Sequence, residues 1–286
     1  MDRAIFFFPG GKTKAFTLSY DDGMDFDLKL IEICRAHGVK CTFNLNSGRM
    51  GIPTPGGRNG QPSAHRYLGP TGLREIYTPD VAEVATHGKL HAFLTQLPPH
   101  AVALEMLDDR RALEKEMGTV IRGHAYPFGA INDQTLEVMR QTGISYARTI
   151  TSTYNFNLPE NWLTWNPTCH HGDERLMELA DTFLNRPSFG ASLFYVWGHS
   201  YEFGFPNDWS IMEKLQDTVA GKDNVWYATN IEIHDYVEAY RSLQWSADCT
   251  MAYNPSSQDV WVATAQWPQR GADPVCIKPG ETAFFK

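Results

Sequence analysis

Cysteine is scarce in this chain. Five cysteines in 286 residues, an odd number with no CxxC spacing, indicate neither a disulfide framework nor a zinc ribbon. Long apolar runs are missing too: none approaches the roughly 18 residues that a membrane helix needs. The amino-terminal stretch MDRAIFFFPGGKTKAF holds only a short apolar run, well under the roughly 7–15 residues of an export-signal core. The expected location is therefore cytoplasmic if the chain is complete, and exported if a leader has been removed. Basic charge is in deficit. Lys and Arg number 25 against 33 Asp and Glu, a formal net charge of −8. That balance argues against nucleic acid or an anionic membrane as the main partner. There is no internal repeat and no low-complexity stretch. What remains is an ordinary globular composition, 42% hydrophobic and 20% charged. It is rich in aromatics, with 8 Trp and 12 Tyr. Such residues serve cores, and they also suit stacking on the apolar faces of sugar rings.

The hydrophobic pattern alternates strand and helix. Ala15–Asp22 reads as a buried strand and Asp25–His37 as a helix stopped by Gly38. Further strands are expected at Lys40–Asn46, Val81–Thr86, Val120–Pro127, Ser145–Ile150, Ala191–His199 and Val225–Thr229. Helices are expected at Pro99–Met117, Asn132–Thr142, Asp173–Asn185, Trp209–Ala220 and Ile231–Leu243. Residues 47–72, rich in Gly and Pro and without periodicity, read as a long loop of the kind that is usually functional or mobile. This order predicts an α/β fold with a parallel sheet, most simply a (β/α) barrel over residues 1–244. Residues 245–286 change character. Short runs at Val260–Ala265, Val275–Lys278 and Thr282–Phe285, separated by Pro and Gly, predict a small carboxy-terminal β appendage.

Polar groups at the carboxyl ends of barrel strands are where catalytic residues collect. The first strand ends Ser19-Tyr20-Asp21-Asp22-Gly23. Two adjacent carboxylates after an apolar strand are costly unless a cation offsets one of them. A helix N-cap at Asp22 or Asp25 fits the same residues equally well. His87 and His91, in Glu83-Val84-Ala85-Thr86-His87-Gly88-Lys89-Leu90-His91, are four apart and can converge on one ion; with 10 His in the chain, chance pairs also occur. A carboxylate plus two His is a common open metal triad. Gly123-His124-Ala125-Tyr126-Pro127-Phe128-Gly129 ends another strand, and its turn can aim a backbone N–H into a site, although a plain strand-to-helix turn is commoner. Phe194-Tyr195-Val196-Trp197-Gly198-His199 ends a long apolar strand in a histidine suited either to acid–base work or to core packing. Cys169-His170-His171 with Asp173 and Glu174 reads as a helix start with an acidic first turn rather than a second metal cluster. Cys34 and Cys41 read as small apolar fillers.

In that order, DDG, HxxxH, a Pro-aromatic-Gly turn and a strand ending in His, the chain resembles the polysaccharide deacetylase family, the NodB-homology carbohydrate esterases, over roughly residues 15–243. The resemblance implies a distorted (β/α) barrel and a metal-dependent hydrolase that removes N- or O-linked acetyl groups from a sugar or oligosaccharide. It implies Asp21 as catalytic base and Asp22, His87 and His91 as ligands of a divalent metal, most often Zn2+, with Co2+, Ni2+ or Mn2+ as alternatives. It implies the Phe128 backbone N–H as oxyanion donor and His199 as general acid.

The chain departs from the family pattern in three places. Ala125 stands where the family usually has an Arg that pairs with the base. Arg148, ending the next strand, either reaches Asp21 in its place or faces solvent, two readings the sequence leaves equally open. Gly88 stands where Ser or Thr is common, and no convincing Asp is found to support the acid histidine. Asn44, Asn46, Trp162, Trp165 and Tyr201 are the expected substrate-binding residues, and Glu202 is a further residue placed to line the pocket. Two other readings are carried: hydrolysis of a non-sugar amide, as in allantoinase-like relatives, and a non-catalytic glycan-binding barrel. Retention of Asp21 with a complete ligand set argues against the second. Oligomeric state is not legible in the sequence.

Overall fold

A computed structural model describes residues 4–53, 65–187, 190–264 and 273–285. The central element is β2 (Lys14–Asp22), buried along its whole length. Phe16, Leu18 and Tyr20 enter the main hydrophobic core. Alternation turns Thr17, Ser19 and Asp21 to the opposite, concave face. On one side β2 pairs in parallel with β3 (Cys41–Leu45), which pairs with β4 (Ala82–Thr86). Beyond these lie β5 (Gly123–Ala125) and β6 (Tyr146–Arg148). On the other side β2 pairs with β8 (Ser192–His199), which pairs with β7 (Cys169–His170). A short β9 (Val225–Tyr227) joins the start of β2 at Lys14–Phe16. A parallel bridge between Arg148 and Trp165 links the β6 edge to the segment that leads into β7, so the sheet curls toward closure.

Helices α1 (Asp27–His37), α3 (Pro99–Met117), α4 (Asp133–Gln141), α5 (Leu176–Asn185) and α7 (Ser210–Val219) lie outside the sheet, with single turns α2 (Leu73–Ile76) and α6 (Tyr201–Gly204), whereas α8 (Asn230–Arg241) packs on the concave-face side against Ala15, Leu193 and Tyr195. Their ends follow local chemistry. Thr229 and Glu232 form a capping box at the start of α8, and Gly38 closes α1 at φ 65°. This is the α/β, curled parallel-barrel architecture that the strand order predicts. Cys34 and Cys41 are buried in its core.

Local structure differs from the sequence reading in three respects. Cys169 and His170 form a strand, not a helix start, because Cys169 is buried in the core beside β8. An unforeseen strand β1 (Ala4–Phe7) pairs antiparallel with β12 (Val260–Thr264), which pairs with β13 (Val275–Ile277). The carboxy-terminal strands are thus built together with the amino-terminal one. A second small sheet joins β10 (Gln244–Trp245), β11 (Met251–Tyr253) and β14 (Thr282–Phe284). Ala265 and residues 54–64 of the expected 47–72 loop lie outside the described residues. Among the described residues, no helix is long and apolar enough to cross a membrane.

Candidate active site

Parallel register brings the polar strand ends to one mouth. Asp21 pairs with Asn44 on one side and with His199 on the other. The β4 strand delivers His87 one residue past its end, and Arg148 closes β6.

Asp21 is almost completely buried, and every close partner is a donor or a potential cation. Arg148 Nη2 donates to Oδ2, Asn44 Nδ2 donates to Oδ1 at 2.8 Å, and His87 Nε2 and His199 Nε2 lie 3.8 and 4.0 Å from Oδ2. Burial alone would raise the Asp21 pKa. The positive charge of Arg148, with that of His87 and His199, outweighs it and holds the carboxyl at about 2. Arg148 is itself fully buried, with its guanidinium 4.4 Å from the Trp197 ring centre.

Asp22, His87 and His91 form a separate group whose ligand atoms all lie within 4.8 Å of one another. Asp22 Oδ1 is 3.7 Å from His91 Nε2 and from Arg49 Nη1, yet it is buried without a hydrogen-bond partner. A buried, unsatisfied carboxylate oxygen is expensive unless a cation meets it. His87 Nδ1 donates to the Ala125 carbonyl at 2.7 Å, which turns Nε2 toward the group, where it offers its lone pair once deprotonated. Burial, then the charge of His87, lowers the His91 pKa to about 4, so its ring is neutral at neutral pH. These residues fit a divalent cation.

The HxxxH loop is held by groups that replace a Ser or Thr at position 88. Asn46 Nδ2 donates to both His87 O and Gly88 O at 2.6 Å, and Asp109 accepts from Ser47 N and His87 N at 2.7 and 3.3 Å. Leu90 N donates to Glu105 at 2.9 Å. Among the described residues six non-glycine positions have positive φ, and three are at this mouth: Asp22 (80°), His91 (57°) and Phe128 (58°). Each such conformation costs on the order of 1–3 kcal/mol and clusters at functional sites. The Phe128 turn borders the ligand group, its ring packed edge-on against His91 at 4.4 Å and stacked on exposed Phe93 at 3.7 Å.

The structure does not bring all expected substrate residues to the mouth. Tyr201 is there, stacked on His199 at 4.9 Å. Asn44 and Asn46 are buried, and their amides hold Asp21 and the ligand loop. Trp165 is 1% exposed, packed against Tyr146 and Tyr195, so it has no free face for a sugar. Trp162 donates to Glu238 on α8 at 2.6 Å. Sequence reasoning missed His170 and His171, which meet Glu202 beside His199. The adjacent pair looked like a helix start, and only the strand pairing of β7 with β8 brings it here.

The class defined by this fold and mouth is a curled α/β barrel with a carboxylate-and-histidine group at the strand ends. The polysaccharide deacetylase family model matches residues 9–147, a span that includes Asp21, Asp22, His87, His91 and Phe128, so over just under half of its length the chain is similar to that family. Among solved structures, a protein assigned as a polysaccharide deacetylase from Mycobacterium smegmatis is 18% identical, with a TM-score of 0.60 over 83% of this chain and 94% of that one. The chitin deacetylase of the fungal pathogen Colletotrichum lindemuthianum is 21% identical, with a TM-score of 0.51 over 77% and 87%. A Streptococcus pyogenes deacetylase in complex with acetate is 23% identical, with a TM-score of 0.44 over 52% of this chain and 61% of that one. At such identities the likeness is one of fold. No curated protein matches the chain.

Proposed function

We propose that the chain is a metal-dependent carbohydrate deacetylase. The observation that carries this reading is the ionised Asp21 beside an intact Asp22, His87 and His91 group with an unsatisfied ligand oxygen. Asp22 Oδ1, His87 Nε2 and His91 would hold the metal. The mixed oxygen and nitrogen donors suit Zn2+, and Co2+, Ni2+ or Mn2+ accept similar sets. When bound, such a metal supplies Lewis acidity toward an acetyl carbonyl and acidifies water, which a carboxylate held at about 2 needs in order to act as base.

The protein residues divide the remaining work. Arg148 and Asn44 hold Asp21 in one orientation, leaving it to accept the proton of the attacking water. The Phe128 N–H is the donor assigned to the developing oxyanion, set by the chain reversal at φ 58°. His199, with Nδ1 on Glu202 and Nε2 on the Asp21 side, is placed to give a proton to the departing amine or alcohol. Burial lowers the His199 pKa, but the bond to Glu202 and the charges of Asp21 and Asp22 more than reverse this, so the net shift is upward and favours the acid form.

The test is acetate release from a panel of N- and O-acetylated sugars and oligosaccharides, with allantoin as a non-sugar amide. Acetate from at least one sugar, with allantoin untouched, is the expected result. Turnover of allantoin alone would move the chain to the amide hydrolases. Sugar binding without acetate release would make it a binding protein.

A further inference from the structure

One cluster of titratable groups is not used by the metal group or by Asp21. His170, the last residue of β7, His171 just beyond it and His199 from β8 gather at one carboxylate oxygen of Glu202 from α6. The ligand atoms of His170, His199 and Glu202 lie within 4.8 Å of one another, so by spacing alone they resemble a second metal site. The tautomers decide otherwise. The Gly172 N–H donates to His170 Nδ1 at 3.0 Å. His171 Nε2 faces the Glu202 carboxylate at 3.1 Å and so carries the ring proton, which leaves Nδ1 to accept from the buried Tyr20 hydroxyl at 3.1 Å. A neutral imidazole whose Nδ1 accepts carries its proton on Nε2, where no lone pair remains for a cation. His87 is the opposite case: its Nδ1 donates to Ala125 O and its Nε2 is free.

The two Nε2–H groups instead converge on Glu202 Oε2, each at 3.1 Å. The same oxygen lies 3.2 Å from His199 Nδ1 and 3.2 Å from the His199 amide. Gly198 is part of this arrangement, since a Cβ there would stand 1.9 Å from His171 Nδ1. We infer that Glu202, clamped by the Nε2–H groups of His170 and His171, is the positioning residue of His199. It fixes the His199 proton on Nδ1, turns Nε2 toward the Asp21 side of the mouth and stabilises the imidazolium.

In this chain a glutamate three residues past the histidine, held by a two-histidine strand, takes the place of the missing supporting Asp. Burial alone would raise the Glu202 pKa. The three imidazole contacts carry it well below the ordinary carboxylate range instead. The titratable groups facing His199 are Asp21 and Asp22 from β2, His170 at the end of β7 with His171 next to it, and Tyr201 and Glu202 from α6. The role of Glu202 rests on the deacetylase reading, whereas the clamp geometry does not.

The experiment therefore has two arms. In the first, 15N-histidine NMR of the metal-free chain is expected to show His170 and His171 as neutral Nε2–H tautomers. Zinc titration is expected to saturate at one ion per chain, and Glu202→Gln to lower the His199 pKa by about one unit or more. Nδ1–H tautomers at both rings would overturn the clamp, and a second zinc ion lost in Glu202→Gln would overturn it in favour of a metal site. An unmoved His199 pKa would overturn the positioning role. In the second arm, Glu202→Gln is expected to slow release from an N-acetylated sugar by about 100-fold, with turnover of 4-nitrophenyl acetate, whose leaving group needs no acid, within about threefold. Glu202→Asp should recover part of the loss. Equal loss on both substrates would overturn the inference. If the unsubstituted chain releases no acetate from any sugar, the deacetylase reading fails while the first arm still judges the clamp.

Discussion

Removal of Arg148 separates a functional ion pair from an incidental one. In the folded chain Asp21 is held at about 2 against an ordinary 3.8. A depressed carboxyl contributes stability that is present above its unfolded pKa and is lost as pH falls through the folded one. Here that amounts to about 2 kcal/mol, present above roughly pH 4 and lost toward pH 2. Arg148→Ala leaves Asp21 buried with Asn44 as its remaining close donor and removes the cation from the Trp197 face. Breaking such a buried pair costs roughly 3–5 kcal/mol at pH 7. Without Arg148, burial pushes the Asp21 pKa upward. Protonation then relieves the buried charge, so the penalty shrinks as pH falls from 7 toward 4. Urea unfolding at pH 7 and pH 4, in chelator so that metal binding does not contribute, reads both effects. Acetate release at pH 7 with metal should fall by about 100-fold or more, because a protonated Asp21 is no base. A variant within about 1 kcal/mol of the parent at pH 7, with an unchanged pH slope and undiminished turnover, would refute the reasoning.

Two further outcomes follow from the same structure. Glu83, half-buried on the concave face, accepts from Tyr146, Thr42 and Ile231 N at 2.7, 2.8 and 2.9 Å, yet desolvation raises its pKa from 4.5 to about 7. Its stability contribution is therefore full below pH 4.5 and lost as pH rises through 7. Glu83→Gln should cost more at pH 5 than at pH 8, by up to about 3 kcal/mol in urea melts, and a constant difference would contradict this. His91→Ala should weaken zinc binding by more than about 100-fold in calorimetry while leaving the thermal midpoint of the metal-free chain nearly unchanged; retained affinity would remove His91 from the ligand set.

Much of the strand order was legible because β2, β3, β4 and β8 carry strong local patterns, and their polar ends stand out against apolar interiors. Asp21, Asp22, His87 and His91 could be singled out because short spacing carries their chemistry. Arg148 was visible as a charge ending an apolar strand. The Glu202 clamp was hidden because its members come from β7, β8 and α6, and His170-His171 has no distinctive local pattern. The Ala4–Phe7 strand was missed because its partner lies some 250 residues along the chain. For Trp162 and Trp165 aromatic abundance points to sugar stacking, but Trp165 packs inside the molecule and Trp162 lies partly buried against the same cluster. Asn44 and Asn46 do face inward as alternation requires, but their amides meet protein groups rather than open space.

The central claim is tested most directly by acetate released from an N-acetylated sugar oligomer by one preparation in three states: as purified, stripped by chelator, and restored with one equivalent of Zn2+. The account predicts turnover in the first, loss in the second and recovery in the third, with Asp21→Asn inactive in all three. Full activity after exhaustive metal removal, or undiminished activity in Asp21→Asn, would contradict it.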